Sequence, residues 1–530
     1  MNRPMNRRRL IQSLGAAAVT GAAVGTGACS KSTKSDRPNI LFILADDQSW
    51  LHTAYNGAKG LNTPAQDRIA REGVRFTHSF CASPSCTPSR ASILSGRHVW
   101  QCGEAGLLYG AMPTNLPLYT QALRKGGYWV GFTGKGWGPG DWRALGLDRN
   151  PCGRQFNDAK HAAKPAPGID ERDYAANFQA FLNHADRNGE PFCFWFGSTE
   201  PHRLYDTGRG VRMGKKLEDV DVPPFLPDTP EVRSDILDYY TEIEWFDAQI
   251  AKFLKILEET GELDNTMIVV TADNGMPFPR AKANLYDWGT RMPLAIRWGA
   301  KTKGGRTVDD LVSHVDFAPT FLEVAGVKAP EGMAGKSLVP LLYSDKSGVI
   351  DPAREQVVTA MERHTVARPD FVGYPMRAMR RRQYLYIRNY AADQWPTGGE
   401  YVGSNKTTHG DIDGGPSKDS LLLPATRVKF RREVELCLNK RPAEELYDVT
   451  ADPGQVNNLA GNELHSAVKL DLSRRLDEYL RETNDPRMNG QDPWRGYSYR
   501  QTTGYGASFN TALPEEARTK AREAATHKPE

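Results

Sequence analysis

Asn39-Ile40-Leu41-Phe42-Ile43-Leu44-Ala45-Asp46-Asp47 is an unbroken apolar run that stops on two carboxylates. It shows no polar alternation, so neither face of the segment meets water. It is also too short for a buried helix. It therefore reads as a strand covered on both sides, the kind found in parallel sheets. Asp46 and Asp47 then stand at the carboxyl end of that strand, the edge of an open parallel sheet at which ligands sit. Met267 to Thr271 repeats the pattern and delivers Asp273-Asn274 to the same edge. Either acidic pair alone is an ordinary strand-end turn. Two pairs at matching strand ends mark a site.

Working outward, strands and helices alternate. Thr63 caps a helix whose first residue is Pro64 and which Gly73 stops, and Val74 to Phe80 follows as a strand. Leu118 to Lys125 reads as helix, and Tyr128 to Thr133 and Phe192 to Gly197 as strands. Thr229-Pro230 opens the longest helix, running to about Thr260, with Ile236, Tyr240, Ile243, Phe246, Ile250, Phe253, Leu254 and Leu257 at helical spacing. The fold class expected is α/β, a large, mostly parallel sheet sandwiched by helices, with a smaller C-terminal α+β domain. In the second part Met379 to Tyr390 reads as a strand, 391–425 as a long loop, Glu444 to Val449 as a strand and Ser466 to Thr483 as a helix. The resulting plan is a leader and tether over 1–36, a principal domain over 37–350, the smaller domain over 351–490 and an extension or tail over 491–530.

The 530 residues carry a net charge of only +4, which gives no reason to expect a nucleic-acid partner. Arginines cluster at 380–382 and 431–432, as a solvated face or as the rim of an anion site. At the N-terminus, Arg7, Arg8 and Arg9 precede an apolar, Gly/Ala-rich stretch to Ala28 that is too short to remain as a spanning helix. The order Asn-Arg-Arg-Arg-Leu-Ile resembles a twin-arginine export signal. Thr26-Gly27-Ala28-Cys29 resembles a lipoprotein cleavage box, with Cys29 as the lipidated residue; a plain cleavable signal is the alternative. The mature chain is then expected outside the cytoplasm, periplasmic or anchored by lipid on the outer side of the cytoplasmic membrane, without a transmembrane span. Of seven cysteines, five remain once Cys29 and Cys86 are set aside, an odd number that leaves room for one or two bridges at most.

Residues 86–97 read Cys-Thr-Pro-Ser-Arg-Ala-Ser-Ile-Leu-Ser-Gly-Arg. Cys86, Pro88, Ser89, Arg90, Leu94, Ser95, Gly96 and Arg97 resemble the signature of type I sulfatases in the alkaline phosphatase superfamily. By that resemblance Cys86 is oxidised to formylglycine by a formylglycine-generating enzyme while the chain is unfolded, which suits an export route for folded proteins. The chemistry has its own logic. A thiolate would form a stable sulfur adduct, whereas an aldehyde hydrate carries two hydroxyls on one carbon, one to attack sulfur and one to expel sulfate. Residues from Pro88 onward can start a helix whose free N–H groups favour an anion, and Arg90 can hold the hydrate and sulfate oxygens. Asp46, Asp47, Asp273 and Asn274, with residue 86, are the metal ligands implied. Oxygen donors without His favour Ca2+, with Mg2+ second. Lys135, in Thr-Gly-Lys, and His202, in Glu-Pro-His-Arg, match the basic positions that bind sulfate and protonate the leaving group. Lys282 matches a third.

One departure stands out. The family continues from the lysine as Lys-x-His, but here the order is Lys135-Gly136-Trp137, and tryptophan accepts no proton. Either another base serves, His98 or Lys135, or turnover is slow, or the enzyme belongs to a branch built differently. Trp137 itself reads as a sugar-stacking platform or as plain core. Three stretches, 273–279, 284–290 and 374–377, resemble the sulfamidase (N-sulfoglucosamine sulfohydrolase) branch. They imply a sulfated amino sugar or related glycan as substrate, with His364, Arg377 and Arg380 either recognising a uronate or a second sulfate or serving a structural role. The leading function is sulfate removal from a sulfated carbohydrate. The alternatives are phosphate or phosphonate ester hydrolysis by the same nucleophile, or a catalytically weak glycan-binding homologue.

Overall fold

The computed structural model describes residues 37–501. The leader with Cys29, and the tail beyond residue 501, lie outside the described residues. The principal sheet has nine strands: β1 (Asn39–Ala45), β2 (Val74–Phe80), β3 (Trp129–Gly134), β4 (Arg154–Gln155), β5 (Phe192–Gly197), β6 (Thr266–Ala272), β7 (Arg291–Arg297), β8 (Arg306–Val308) and β9 (Val312–Ser313). They follow the order β4-β3-β5-β1-β6-β7-β2-β8, with β9 also on β2. Only β7 runs against its neighbours β6 and β2. The expected mixed, mostly parallel sheet is therefore present.

β1 shows why the run at 39–45 carries no alternation. Ile40, Phe42 and Leu44 face one layer and pack with Phe317 and Phe321. Leu41, Ile43 and Ala45 face the other and pack with Phe178, Phe246, Ile250 and Phe253. All six side chains are fully buried, each worth roughly 1.5–3 kcal/mol for the larger ones. The 30-residue helix Pro230–Glu259 supplies much of the second layer, and Thr229 caps it by accepting from the Val232 N–H at 3.3 Å. Helix α1 (Pro64–Glu72) begins after Thr63 as expected. The Thr63 hydroxyl does not cap it, however, but donates to Asp67 at 3.0 Å.

A second, antiparallel sheet holds β10 (Gln356–Met361), β11 (Met376–Arg381), β12 (Tyr384–Asn389) and β13 (Glu444–Asp448) in that order. Leu472, Leu476 and Leu480 of the helix Ser466–Glu482 cover it together with Val358, Ala360, Met379 and Tyr386. Here several expectations change. The strand read over Met379 to Tyr390 is two strands of a hairpin, turning at Arg382 and Gln383. The long loop ends earlier than residue 425, because Pro416–Leu422 and Pro424–Lys429 are helical. The extension expected from residue 491 is not contradicted: as far as it is described, Trp494, Tyr497 and Tyr499 are buried, and Arg363 donates to the carbonyls of Tyr497 and Ser498 at 3.0 Å. All six described cysteines are buried and unbridged. Among the described residues no helix is long and apolar enough to cross a membrane.

Candidate active site

β1, β3, β5 and β6 are mutually parallel and adjacent, so their carboxyl ends open on one edge. β1 delivers Asp46 and Asp47, β6 delivers Asp273 and Asn274, β3 delivers Lys135, and β5 leads through Ser198 to His202. The ends of β3 and β5 must pass very close. A Cβ on Gly134, at φ +78°, would stand 2.0 Å from the Gly197 carbonyl oxygen. The Lys135 N–H donates to that same carbonyl at 2.7 Å.

Helix α2 (Cys86–Ser95) is aimed into this edge, with Cys86 as its first residue. The Cys86 Sγ lies 3.4 Å from Asp46 Oδ1. Carboxylate oxygens of Asp46, Asp47 and Asp273 all fall within 4.8 Å of one another, and all three residues are buried. Asn274 donates through Nδ2 to Asp47 Oδ1 at 2.6 Å, which leaves its buried Oδ1 without a partner. Asp47 takes a positive φ of 77° and donates its N–H to Asp273 Oδ1 at 3.1 Å. Three crowded carboxylates and an orphaned amide oxygen, with no sulfur but that of residue 86, make a donor set that fits a hard divalent cation.

Three cations of the chain surround that set. Arg90, wholly buried, bonds Asp273 Oδ2 through Nε at 2.7 Å, approaches Asp46 at 3.4 Å, and donates to the carbonyls of Lys135 and Gly136. Lys135 pairs with Asp46 Oδ2. Lys282 sits between Asp47, at 2.7 Å, and Asp413, at 3.0 Å. Its own turn is drawn in by the Ala283 N–H, which donates to the Pro84 carbonyl at 2.9 Å, two residues before α2. His202 uses Nδ1 on the Arg203 carbonyl at 2.6 Å and turns Nε2 toward Asp47 at 3.8 Å.

These contacts set the charge states. Burial works to raise the Asp46 carboxyl, but Lys135, Arg90, His202 and Lys282 outweigh it and hold the group well below the usual carboxylate range. Burial and the neighbouring Asp46 push Asp273 up to about 7. Burial, then Asp46, push the Cys86 thiol well above its ordinary value. Lys135 and Lys282 are both raised despite burial, Lys135 by Asp46 and Lys282 by Asp413 and Asp47, so both stay ammonium.

The fold thus gathers Cys86, Arg90, Lys135, His202, Lys282, Asp46, Asp47, Asp273 and Asn274. His364 is beside them: its Nδ1 meets Ser85 Oγ at 2.9 Å, next to Cys86 in sequence. For three residues the structure favours the core or structural reading over a substrate contact. Trp137 is 2% exposed and packed in the core, with its ring against Gly140, so it offers no face to a sugar. Arg377 is fully buried between Glu362, at 2.7 Å, and Asp485, at 2.5 Å. Arg380 is buried against Asp287 at 2.9 Å. Neither guanidinium is free to meet substrate. His98 is ruled out as a substitute base by its place, stacked 4.4 Å from Trp100 and bonded to the Tyr479 hydroxyl at 2.9 Å. The arginine clusters resolve into separate pairs, Arg381 with Glu355 and Arg431 with Glu435. Asp413 is the residue that sequence reading missed. Gly410-Asp411-Ile412-Asp413-Gly414-Gly415 has the composition of a solvated turn, and nothing local signals that it returns to the strand tips.

Residues 38–327 match the family described as Sulfatase, and the chain belongs to that family and is a sulfatase enzyme. Residues 280–394 match a second family, described as N-sulphoglucosamine sulphohydrolase, C-terminal, which puts the chain with the sulfamidase-like branch. Human N-sulphoglucosamine sulphohydrolase is 28% identical over 497 residues, covering 84% of this chain and 91% of its own length. An ulvan-active sulfatase of Formosa agariphila is 27% identical over 460 residues, covering 86% and 82%. A solved structure described as in complex with its substrate D-glucosamine-2-N,6-O-disulfate has the same fold, with a TM-score of 0.61 at 20% identity, covering 86% of this chain and 100% of that one.

Proposed function

We propose that this sulfatase hydrolyses sulfate esters or N-sulfate groups of a sulfated carbohydrate, with residue 86 as formylglycine and Ca2+, or less readily Mg2+, held by Asp46, Asp47, Asp273 and Asn274. The observation that carries the reading is the position of Cys86, at the start of α2 and 3.4 Å from one of three buried carboxylates. The thiol as encoded is a poor nucleophile there, because its pKa is raised and little thiolate exists near neutrality. Formylglycine, as its hydrate, would supply one hydroxyl to bond to sulfur as the bond to the sugar breaks and a second whose proton would pass to His202, grouped within 4.8 Å of residue 86 and neutral once it has protonated the leaving group, as the carbonyl re-forms and sulfate leaves; water would then restore the hydrate. The cation supplies a Lewis acid for the sulfate oxygens and for the hydrate.

The chain's own groups do the rest. Lys135 and Lys282, kept charged by their carboxylates, face the sulfate oxygens. Arg90 fixes Asp46 and Asp273 relative to α2. His202, held through Nδ1, presents Nε2 to give a proton to the departing oxygen or nitrogen. The saccharide class is supported by the relatives, which are named for glucosamine sulfamate and ulvan, and by the glucosamine disulfate of the fold neighbour.

The test is mass analysis of the peptide containing residue 86, from protein made in its own host, beside turnover of the Cys86→Ala variant. We expect an aldehyde mass and a loss of at least ~1000-fold in kcat. An intact cysteine in an active enzyme removes the proposed nucleophile. Matched aryl sulfate and aryl phosphate separate sulfatase from the phosphate or phosphonate reading, and glycan binding without sulfate release from formylglycine-bearing protein would favour the binding-protein reading. Export by the twin-arginine route, lipidation of Cys29 and maturation by a formylglycine-generating enzyme complete the proposal. Fractionation of cells labelled with a radioactive fatty acid tests the anchor.

A further inference from the structure

Asp413 is an unexpected charge. A pocket for sulfate gains nothing from an added carboxylate, and a carboxylate near the bound anion weakens its binding. Yet Asp413 is brought there by firm means. Two residues before it, Asp411 accepts from both terminal Arg368 nitrogens at 2.8 and 2.6 Å and from the Thr365 hydroxyl at 2.7 Å. Below it, Lys418 donates to the carbonyls of His409 and Ile412 at 3.0 Å. Beyond it, the Ser417 N–H meets Asp235, which also holds Arg203 at 2.7 Å, next to His202. The loop is tied on three sides and cannot swing Asp413 away.

The geometry then says what Asp413 faces. Its carboxylate lies with Asp47 and His202 in a group whose ligand atoms are within 4.8 Å of one another. Lys282, at 2.7 and 3.0 Å from the two carboxylates, already supplies the cation between them. Among the described residues no other group donates a hydrogen bond to Asp413, and its side chain is 23% exposed. Its Oδ2 is buried and accepts no hydrogen bond beyond the Lys282 ion pair, and the carboxylate is grouped with His202, the residue that faces the leaving atom in the function proposed above.

We propose that Asp413 is a specificity-determining residue that reads the leaving atom and selects N-sulfate over O-sulfate. The inference rests on the function proposed above. A sulfamate bridges sulfur and sugar through N–H, a donor that a carboxylate accepts. A sulfate ester bridges through an oxygen with no hydrogen, and a carboxylate facing it meets lone pairs. A site built to bond an N–H discriminates strongly against the analogue that lacks it.

The experiment uses the matured enzyme with glucosamine 2-N-sulfate and glucose 2-O-sulfate, which differ at the bridging atom. Wild-type kcat/KM should favour the N-sulfate by at least ~100-fold. In Asp413→Ala that preference should shrink by about 10- to 100-fold, the size of a charged hydrogen bond. Asp413→Asn, close to isosteric and retaining an acceptor, should fall between, and gives the same reading if the alanine variant does not fold. An equal loss on both substrates would mean that Asp413 only steadies Lys282, and the inference is overturned. A wild type active on esters and not on sulfamates also overturns it, while leaving the sulfatase proposal standing. No sulfate release from any sulfated saccharide takes down both.

Discussion

Asp46, Asp47 and Asp273 are buried within 4.8 Å of one another, and Arg90, Lys135 and Lys282 balance them. Removing one member exposes the imbalance. Arg90→Met should lower stability by about 3–5 kcal/mol, because buried Asp273 loses its ion-pair partner and Asp46 is left with Lys135 alone. A urea titration measures it. A second buried acid tests the same physics in isolation. Glu242 is fully buried on the helix Pro230–Glu259, neither of its oxygens has a partner, and burial, followed by the nearby Glu200, raises its pKa from 4.5 to about 9. The unfolded chain ionises this group above pH 4.5, while the folded chain keeps it protonated to about pH 9. Its contribution therefore becomes steadily more unfavourable between those values as pH rises. Glu242→Gln should raise the melting temperature at pH 8 and do little at pH 4.5; an equal gain at both would contradict the buried-proton account. At this scale the sequence is legible where residue type and strand end coincide, as in Asp46-Asp47 and Asp273-Asn274. It is illegible where a contact depends on distant chain, as with Asp413, or where a charge is buried by pairing, as with Arg377.

Elements were readable in proportion to how far their burial shows in the pattern. β1, β5 and β6 are covered on both faces, and their continuous apolar runs say so. The helix Pro230–Glu259 shows its 3.6-residue period over its whole length, with proline at its first position. The hairpin of β11 and β12 was hidden because its turn is Arg382-Gln383, which lacks the Gly, Asn, Asp or Pro that marks most turns. Its arginines misled for a related reason. Arg377 and Arg380 sit on a strand buried along nearly all its length, and each is neutralised across an element boundary. Arg377 joins β11 to Asp485, after the helix Ser466–Glu482, and to Glu362, at the end of β10. Arg377→Met should therefore destabilise the protein by roughly 3–5 kcal/mol. KM for a sulfated saccharide should stay within about twofold on the folded fraction, since the residue touches no ligand. A large rise in KM with unchanged stability would restore Arg377 to the substrate site.

Over the whole molecule, the site is a charge problem that the fold solves only in part. Parallel strands bring Asp46, Asp47 and Asp273 to one edge, and α2 brings residue 86 to the same place. Burial keeps water from screening them, so Asp273 is pushed up to about 7, and the buried Asn274 Oδ1 is left unbonded. A cation that binds the folded chain and not the unfolded one must then stabilise the fold by mass action. At a concentration 100 times the dissociation constant the gain is about 2.7 kcal/mol. Stripping with a chelator should lower the melting temperature and abolish sulfate release. Titrating Ca2+ back should raise the melting temperature in a concentration-dependent way, and Mg2+ should do so less, because it tolerates a crowded oxygen cage poorly. The shift should survive in Cys86→Ala, in which catalysis is gone but the strand-tip carboxylates remain, and should be lost in Asp273→Asn. That pair of variants separates a cation held by the sheet edge from one held by the nucleophile. If the Cys86→Ala protein melted identically with and without Ca2+, the carboxylates would not be the seat of the metal.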